Sequence, residues 1–293
     1  MRSALHPTLA PRGHGAGFTL VEMVVTLLLF GLLATTLALF LRPALESWHA
    51  VRSRTRLAAE ADNAMRLMLR EVRTAVPNSI RTPGSNCFEL VPTKTGGRYR
   101  MDMDTVNAGS AAVDPAAATT SFDVLTPLAT LPLAGDWVVV DNQNPGDVYS
   151  GSNRSAVTGI TTPAASLGRH RLDINALQFP LGYDGGRFSV VDQNEQAVFY
   201  VCSGASSTLD GSGNAPGVLV RLSRYGFNAT APASCPSTVG GSVVATGLRS
   251  CRFLYDANQG ATQQSGYIGL QLVFTRNGET ASLVGGVHVV NTP

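Results

Sequence analysis

The 293-residue sequence is 44% hydrophobic and only 14% charged, with 30 glycines and a formal net charge of +2. Arg2 and Arg12 are the only charged side chains among the first 17 residues, so the remainder sums to about zero. So neutral a chain does not read as a nucleic-acid binder or as a partner of anionic membrane surfaces. Its abundant Gly, Ser, Thr and Ala suit a β-rich domain outside the cytoplasm.

In chain order, a short polar leader with Arg2 and Arg12 precedes Gly17-Phe18-Thr19-Leu20-Val21-Glu22 and an uncharged run from Met23 to Leu41. As a helix, the 24 residues from Phe18 to Leu41 would be ~36 Å long, enough for a hydrocarbon core of about 30 Å. A basic leader, an apolar run and then a large domain place the leader in the cytoplasm and the rest outside. An ordinary secretory signal fits poorly, because its apolar region is ~7–15 residues and ends at a small-residue cleavage site. No such site follows Leu41. A plain anchor leaves Glu22 unexplained: a carboxylate in lipid costs a few kcal/mol and is usually paired, although near a helix end it can snorkel.

The string Gly17-Phe18-Thr19-Leu20-Val21-Glu22 at the head of an apolar helix resembles the processing site of type IV prepilins and of type II secretion pseudopilins. The resemblance implies that a prepilin peptidase cuts between Gly17 and Phe18 and that Phe18 becomes the N-methylated terminus. It also makes Glu22 the acidic residue that serves assembly. The charge logic agrees, since the new amine on Phe18 needs a carboxylate in the same dry surroundings when helices bundle. Glu22 is then a register device and not a catalyst.

Pro43 is expected to kink the helix without stopping it. Beyond it, Ala44 to Ala75 reads helical, with Leu57, Ala61, Ala64, Met65, Met68 and Val72 at three- and four-residue steps. Arg52, Arg56, Glu60, Arg66, Arg70 and Arg73 mark the opposite face, read as solvated, with Glu60 and Asn63 as ordinary solvent positions. Pro77 ends the helix. The expected divisions are a leader at 1–17, a long helix at 18–76 (18–41 in the membrane) and a β-rich domain at 77–293.

A second resemblance is to the minor pilins of the mannose-sensitive haemagglutinin pilus, of the MshO type. It rests on Met68-Leu-Arg-Glu-Val-Arg-Thr-Ala-Val-Pro-Asn-Ser-Ile-Arg81, Cys87-Phe-Glu-Leu-Val-Pro92, Val198-Phe-Tyr-Val-Cys202, Leu219-Val-Arg-Leu222, Cys251-Arg-Phe-Leu-Tyr255 and Ile268-Gly-Leu-Gln-Leu-Val-Phe274. The type II secretion minor pseudopilin J shares the general plan. These resemblances imply an α+β, pilin-like fold: a long N-terminal helix, transmembrane then amphipathic, packed on an antiparallel β-rich domain. They also imply prepilin peptidase, other minor and major pilins, and inner-membrane lipid as partners. The expected location is the inner membrane with the domain in the periplasm, and then a pilus, at its tip. A tip adhesin, with loop 107–121 as its contact, is the reading from a different functional class.

Alternating runs predict strands near 88–91, 99–103, 122–125, 137–140, 171–174, 188–191, 197–202, 218–222, 251–255, 267–275 and 280–290. Asn277-Gly278 is a hairpin turn between the last two, and Gly285-Gly286 suggests a bulge or a close backbone approach. Residues 107–121 and 203–216 read as surface loops without a core pattern. The domain is expected to be one composite β unit against the helix, with two packed sheets as the alternative form.

All four cysteines lie beyond the apolar run, which favours two disulfides. Three connectivities are open, and Cys202–Cys235 with Cys87–Cys251 is preferred among them. No C-x-x-C pair supports zinc. The clusters at Asp102, Asp104, Asn107 and Gly109, and at Asp141 through Asp147, offer oxygen ligands suited to calcium, but such clusters are more often turns. No metal or other cofactor is expected. There is no G-x-S-x-G, no paired-carboxylate context and no phosphate loop. His170 and His288 are the only histidines beyond residue 77. N-x-[ST] patterns at Asn153 and Asn228 are read as chance. Nothing in the chain makes a positive case for an enzyme.

Overall fold

A computed structural model describes residues 17–181, 185–257 and 265–291. Of the leader at 1–17, all but Gly17 lies outside these residues. The chain divides into two compact units, Met1–Arg52 and Ser53–Pro293.

Helix α1, Leu20–Arg73, begins in the first unit and ends in the second. Pro43 lies inside it and does not end it, at the cost of the N–H that residue 39 would otherwise bond. From Leu57 onward the expected stripe is buried: Leu57, Ala61, Ala64, Met65, Met68 and Val72 join one hydrophobic core with the larger sheet. Three- and four-residue spacing puts these side chains on one side of the helix, which is why a strip rather than the whole surface is covered. Glu60 departs from the solvated role expected of it. Its carboxylate accepts a 2.8 Å bond from Arg276 Nη1 and so ties the helix to the last hairpin.

The second unit holds two antiparallel sheets. The larger contains β1 (Arg81–Gly84), β2 (Cys87–Leu90), β9 (Val198–Ser203), β10 (Gly217–Leu222), β11 (Ser242–Asp256), β12 (Ser265–Arg276) and β13 (Glu279–Val290), adjacent in that order. The smaller runs β3 (Thr95–Arg98), β8 (Arg187–Val191), β5 (Trp137–Val140), β6 (Arg154–Thr161), β7 (His170–Leu177) and β4 (Thr119–Val124). A one-turn helix, α2 (Asp147–Ser150), caps Tyr149 into the interior. The α+β layout expected from the sequence is therefore present.

Three local expectations change. The run expected as a strand at 99–103 is instead a loop after β3, joined to the sheet by the Tyr99–Val124 bridge. Loop 107–121 is not free of the core: Val113 is buried among the side chains of the smaller sheet, and Asp123 accepts the Ala111 N–H at 2.9 Å. Gly285-Gly286 is no bulge, because the β12–β13 register runs through it unbroken.

The two glycines mark a close approach instead. A Cβ at Gly285 would lie 3.0 Å from Met65 Sδ and 3.4 Å from Leu69 Cδ1, both on α1. Gly285→Val is therefore expected to push helix and sheet apart and to destabilise the second unit by about 1–3 kcal/mol. Denaturant unfolding followed by near-ultraviolet circular dichroism reads this directly. Gly285→Ala should cost less, because Met65 is flexible enough to give way. Parental stability in the valine variant would contradict the helix–strand contact.

Candidate processing and assembly site

The first unit sets out the candidate processing residues in a simple order. Gly17 and Phe18 precede the helix, are exposed, and have non-helical backbone. No atom lies within 4 Å of where a Cβ on Gly17 would stand. Thr19 is the cap: its Oγ1 accepts the Glu22 N–H at 3.2 Å, while its carbonyl accepts the Met23 N–H at 3.1 Å. An N-cap threonine satisfies a helix-start donor that would otherwise be orphaned. Glu22 sits three residues after that cap, in the first turn, where the helix dipole favours a negative charge. The Thr-x-x-Glu pattern is a capping signature legible in the sequence, and the sequence reading passed over it.

After the cap, the helix is long and apolar enough to cross a membrane, with mean hydropathy 2.5 in its most apolar window and none of that window buried. Its threonines fit such a setting. Thr26, Thr35 and Thr36 return their hydroxyls to the carbonyls of Met23, Gly31 and Leu33 at 2.7–2.9 Å. Their polar groups are thus satisfied within the helix, as lipid requires. Trp48, seven residues past Leu41, is exposed, with the Arg52 guanidinium 5.2 Å from its ring centroid. An aromatic ring with a polar edge suits a membrane–water boundary.

The second unit fixes the amphipathic half by charge as well as by packing. Glu71 accepts the Tyr200 hydroxyl at 2.9 Å and faces Arg221 Nε at 3.2 Å, while Arg221 reaches Glu195 at 2.9 Å. Arg54 pairs with Glu279 at the start of β13. These ties join α1 to β9, β10 and the final hairpin. They went unforeseen because charged partners distant in sequence leave no periodic signal.

The disulfide pairing differs from the preferred one: Cys87 joins Cys235 (Cα–Cα 5.7 Å) and Cys202 joins Cys251 (6.3 Å). Strand alternation supplies the reason. Cys87 stands opposite Val201 in the β2–β9 register, so it shares a face with Val201 and Phe199. Cys202, the next residue, points to the opposite face and into the helix-facing core. Cys235 lies against the first face, and Cys251 packs against the second. The β1–β2 turn draws β9 and β11 together, since Asn86 O accepts the Cys202 N–H and Ser85 O accepts the Phe253 N–H.

The clusters considered for calcium are occupied by turn hydrogen bonds. Asp104 accepts the backbone N–H groups of Asn107 and Val106 at 2.9 Å, which hold its carboxyl down to about 2. Asp147 accepts from Asn144 N and Nδ2. Among the described residues no group of three metal-ligating side chains converges.

A buried polar cluster went unforeseen. Glu89, on β2, and Arg81, on β1, are 0% and 8% exposed and face each other at 3.6 Å. The Tyr225 hydroxyl donates to Glu89 Oε1 at 2.8 Å. Arg81 stacks on Tyr149 with its guanidinium carbon 3.1 Å from the ring centroid and donates to Asn228 O. Burial pushes the Glu89 carboxyl above its ordinary value, against the lowering effects of Tyr225 and Arg81.

A family model described as the prokaryotic N-terminal methylation motif matches residues 13–38. Comparison with curated proteins and with solved structures finds no match. The motif spans the Gly17–Phe18 junction, the Thr19 cap, Glu22 and most of the apolar helix. It supports a precursor of the type IV pilin or pseudopilin kind, a structural class processed by prepilin peptidase.

Proposed function

We propose that the chain is a minor pilin of a type IV pilus of the mannose-sensitive haemagglutinin kind, resembling MshO, that primes or caps filament assembly. Prepilin peptidase cuts between Gly17 and Phe18, and Phe18 is methylated. Residues 18–41 hold the protein in the inner membrane, with the domain from residue 77 onward in the periplasm, until it enters the filament at its tip. Lateral packing of apolar helices drives entry, and the Phe18 amine against Glu22 sets axial register.

The observation that carries this reading is the exposed, non-helical Gly17–Phe18 junction directly before a capped apolar helix with none of its most apolar window buried. Peptidase can reach such a junction, and so bare a helix has lipid or other helices as its cover. The large two-sheet domain suits a tip better than a repeating shaft, where bulk must be accommodated at every subunit.

The test compares a deletion strain with its parent for surface filaments and for secreted enzymes. A minor pilin predicts that filaments are lost or sharply reduced while secretion continues. Intact filaments with blocked secretion would assign the chain to a type II secretion apparatus instead.

A further inference from the structure

On the smaller sheet, β3 pairs with β8 so that Arg98 stands directly opposite Arg187. Side chains opposite each other project to the same face, and two like charges placed so repel. Neither guanidinium has a hydrogen-bond or ion-pair partner among the described residues. Arg171, on β7, is by contrast matched, sharing the fully buried Asp123 with Arg100. The exposed Arg98–Arg187 pair is charge without a counterpart among the described residues.

Both arginines line a cleft of about 330 Å³. Gly96 and Gly97, on the edge strand, line it too, and Ser189 stands opposite Gly96. Val139 and Val290 make the wall apolar. Asp141 also lines the cleft, its Oδ2 taking the Gln143 amide at 2.6 Å. Among the described residues, two guanidiniums against one carboxylate leave a single positive charge.

We propose that this cleft binds a carboxylate carried on a small apolar body, the chemistry of a peptide C-terminus, with Arg98 and Arg187 as its donors. Guanidinium forks match carboxylate geometry. One net positive charge suits a monoanion better than a phosphate dianion, and the valines suit an aliphatic terminal side chain. Among the described lining residues a sugar ring finds no stacking platform, because the Phe188 ring is turned into the core. The site is independent of the filament reading and stands whether or not the chain enters a pilus.

The test titrates the full chain in detergent micelles with N-acetyl-Val-Val, its C-terminal amide, N-acetylneuraminic acid and inorganic phosphate, by calorimetry. The free-acid peptide is expected to saturate one site and to bind at least about tenfold tighter than the other three probes. Arg98→Gln and Arg187→Gln are each expected to weaken it roughly ten- to a hundredfold. Without ligand, each variant should melt at or above the parental temperature, since repulsion is relieved and no bond is lost. No binding of the free acid, equal binding of the amide, tighter binding of phosphate or the sugar acid, or undiminished binding by the variants would each overturn the proposal. A lowered melting temperature in both variants would overturn it too, by showing that the arginines already have structural partners.

Discussion

Glu22→Ala is expected to leave cleavage at Gly17–Phe18 unchanged and to reduce recovery of the protein in filaments by at least about tenfold. The proposed cleavage would free an amine on Phe18 at the edge of a helix whose exposed surface is almost wholly apolar. Carrying that charge into a bundle unpaired costs a few kcal/mol, and one unit of 1.4 kcal/mol is already a factor of ten. Glu22 is the only acid between Phe18 and Leu41 and so the only carboxylate the apolar segment can offer. Glu22→Gln separates charge from hydrogen bonding: it keeps an acceptor but not the counter-ion, and should fail nearly as badly as alanine. Immunoblots of sheared filaments and of membranes measure both effects. Normal incorporation of the alanine variant would remove the register argument, while loss of cleavage would show that Glu22 serves peptidase recognition instead.

Arg81→Ala is expected to destabilise the second unit by about 3–5 kcal/mol, because it leaves Glu89 fully buried without its cation. The Tyr225 hydroxyl alone then faces the carboxylate. The pH dependence follows from the raised carboxyl of Glu89. A folded-state value above the unfolded one means stability is fullest below the ordinary carboxylate range and declines as pH rises through the folded value. Removing the cation raises that value further, so the variant's deficit should be smallest in acid and largest near neutrality. Adding Glu89→Leu should recover much of the loss, since replacing a buried pair with apolar side chains is often neutral. Urea unfolding of the three proteins across this pH range checks each statement. A deficit that does not vary with pH would mean that Arg81 acts through its stacking on Tyr149 rather than through Glu89.

What was legible in the sequence follows from periodicity. The stripe from Leu57 to Val72 repeats at helical steps over four turns, so its buried face could be named residue by residue. Trp137–Val140 and the hairpin around Asn277-Gly278 were readable because short apolar runs and turn dipeptides are local signals. Strands β1 and β6 were not, since Arg81–Gly84 carries a proline and a glycine and Arg154–Thr161 alternates weakly. Cysteine pairing depends on which face each strand turns inward and on β11 passing β10 to meet the β1–β2 turn, and neither is a local property. The Arg81–Glu89 and Glu71–Arg221 pairs join residues brought together only by sheet order. Of the proposed processing motif, Gly17, Phe18 and Glu22 stand out in the sequence as a string, whereas the capping role of Thr19 becomes plain only when its hydroxyl meets the Glu22 N–H.

The most direct test of the whole account is mass spectrometry of the N-terminal peptide from sheared surface filaments and from membranes of the same cells. The account predicts a peptide beginning at Phe18, heavier by one methyl group, in both fractions and at low abundance in the filaments. A chain that keeps residues 1–17 in both fractions would contradict it, and would return the protein to a domain on a plain membrane anchor.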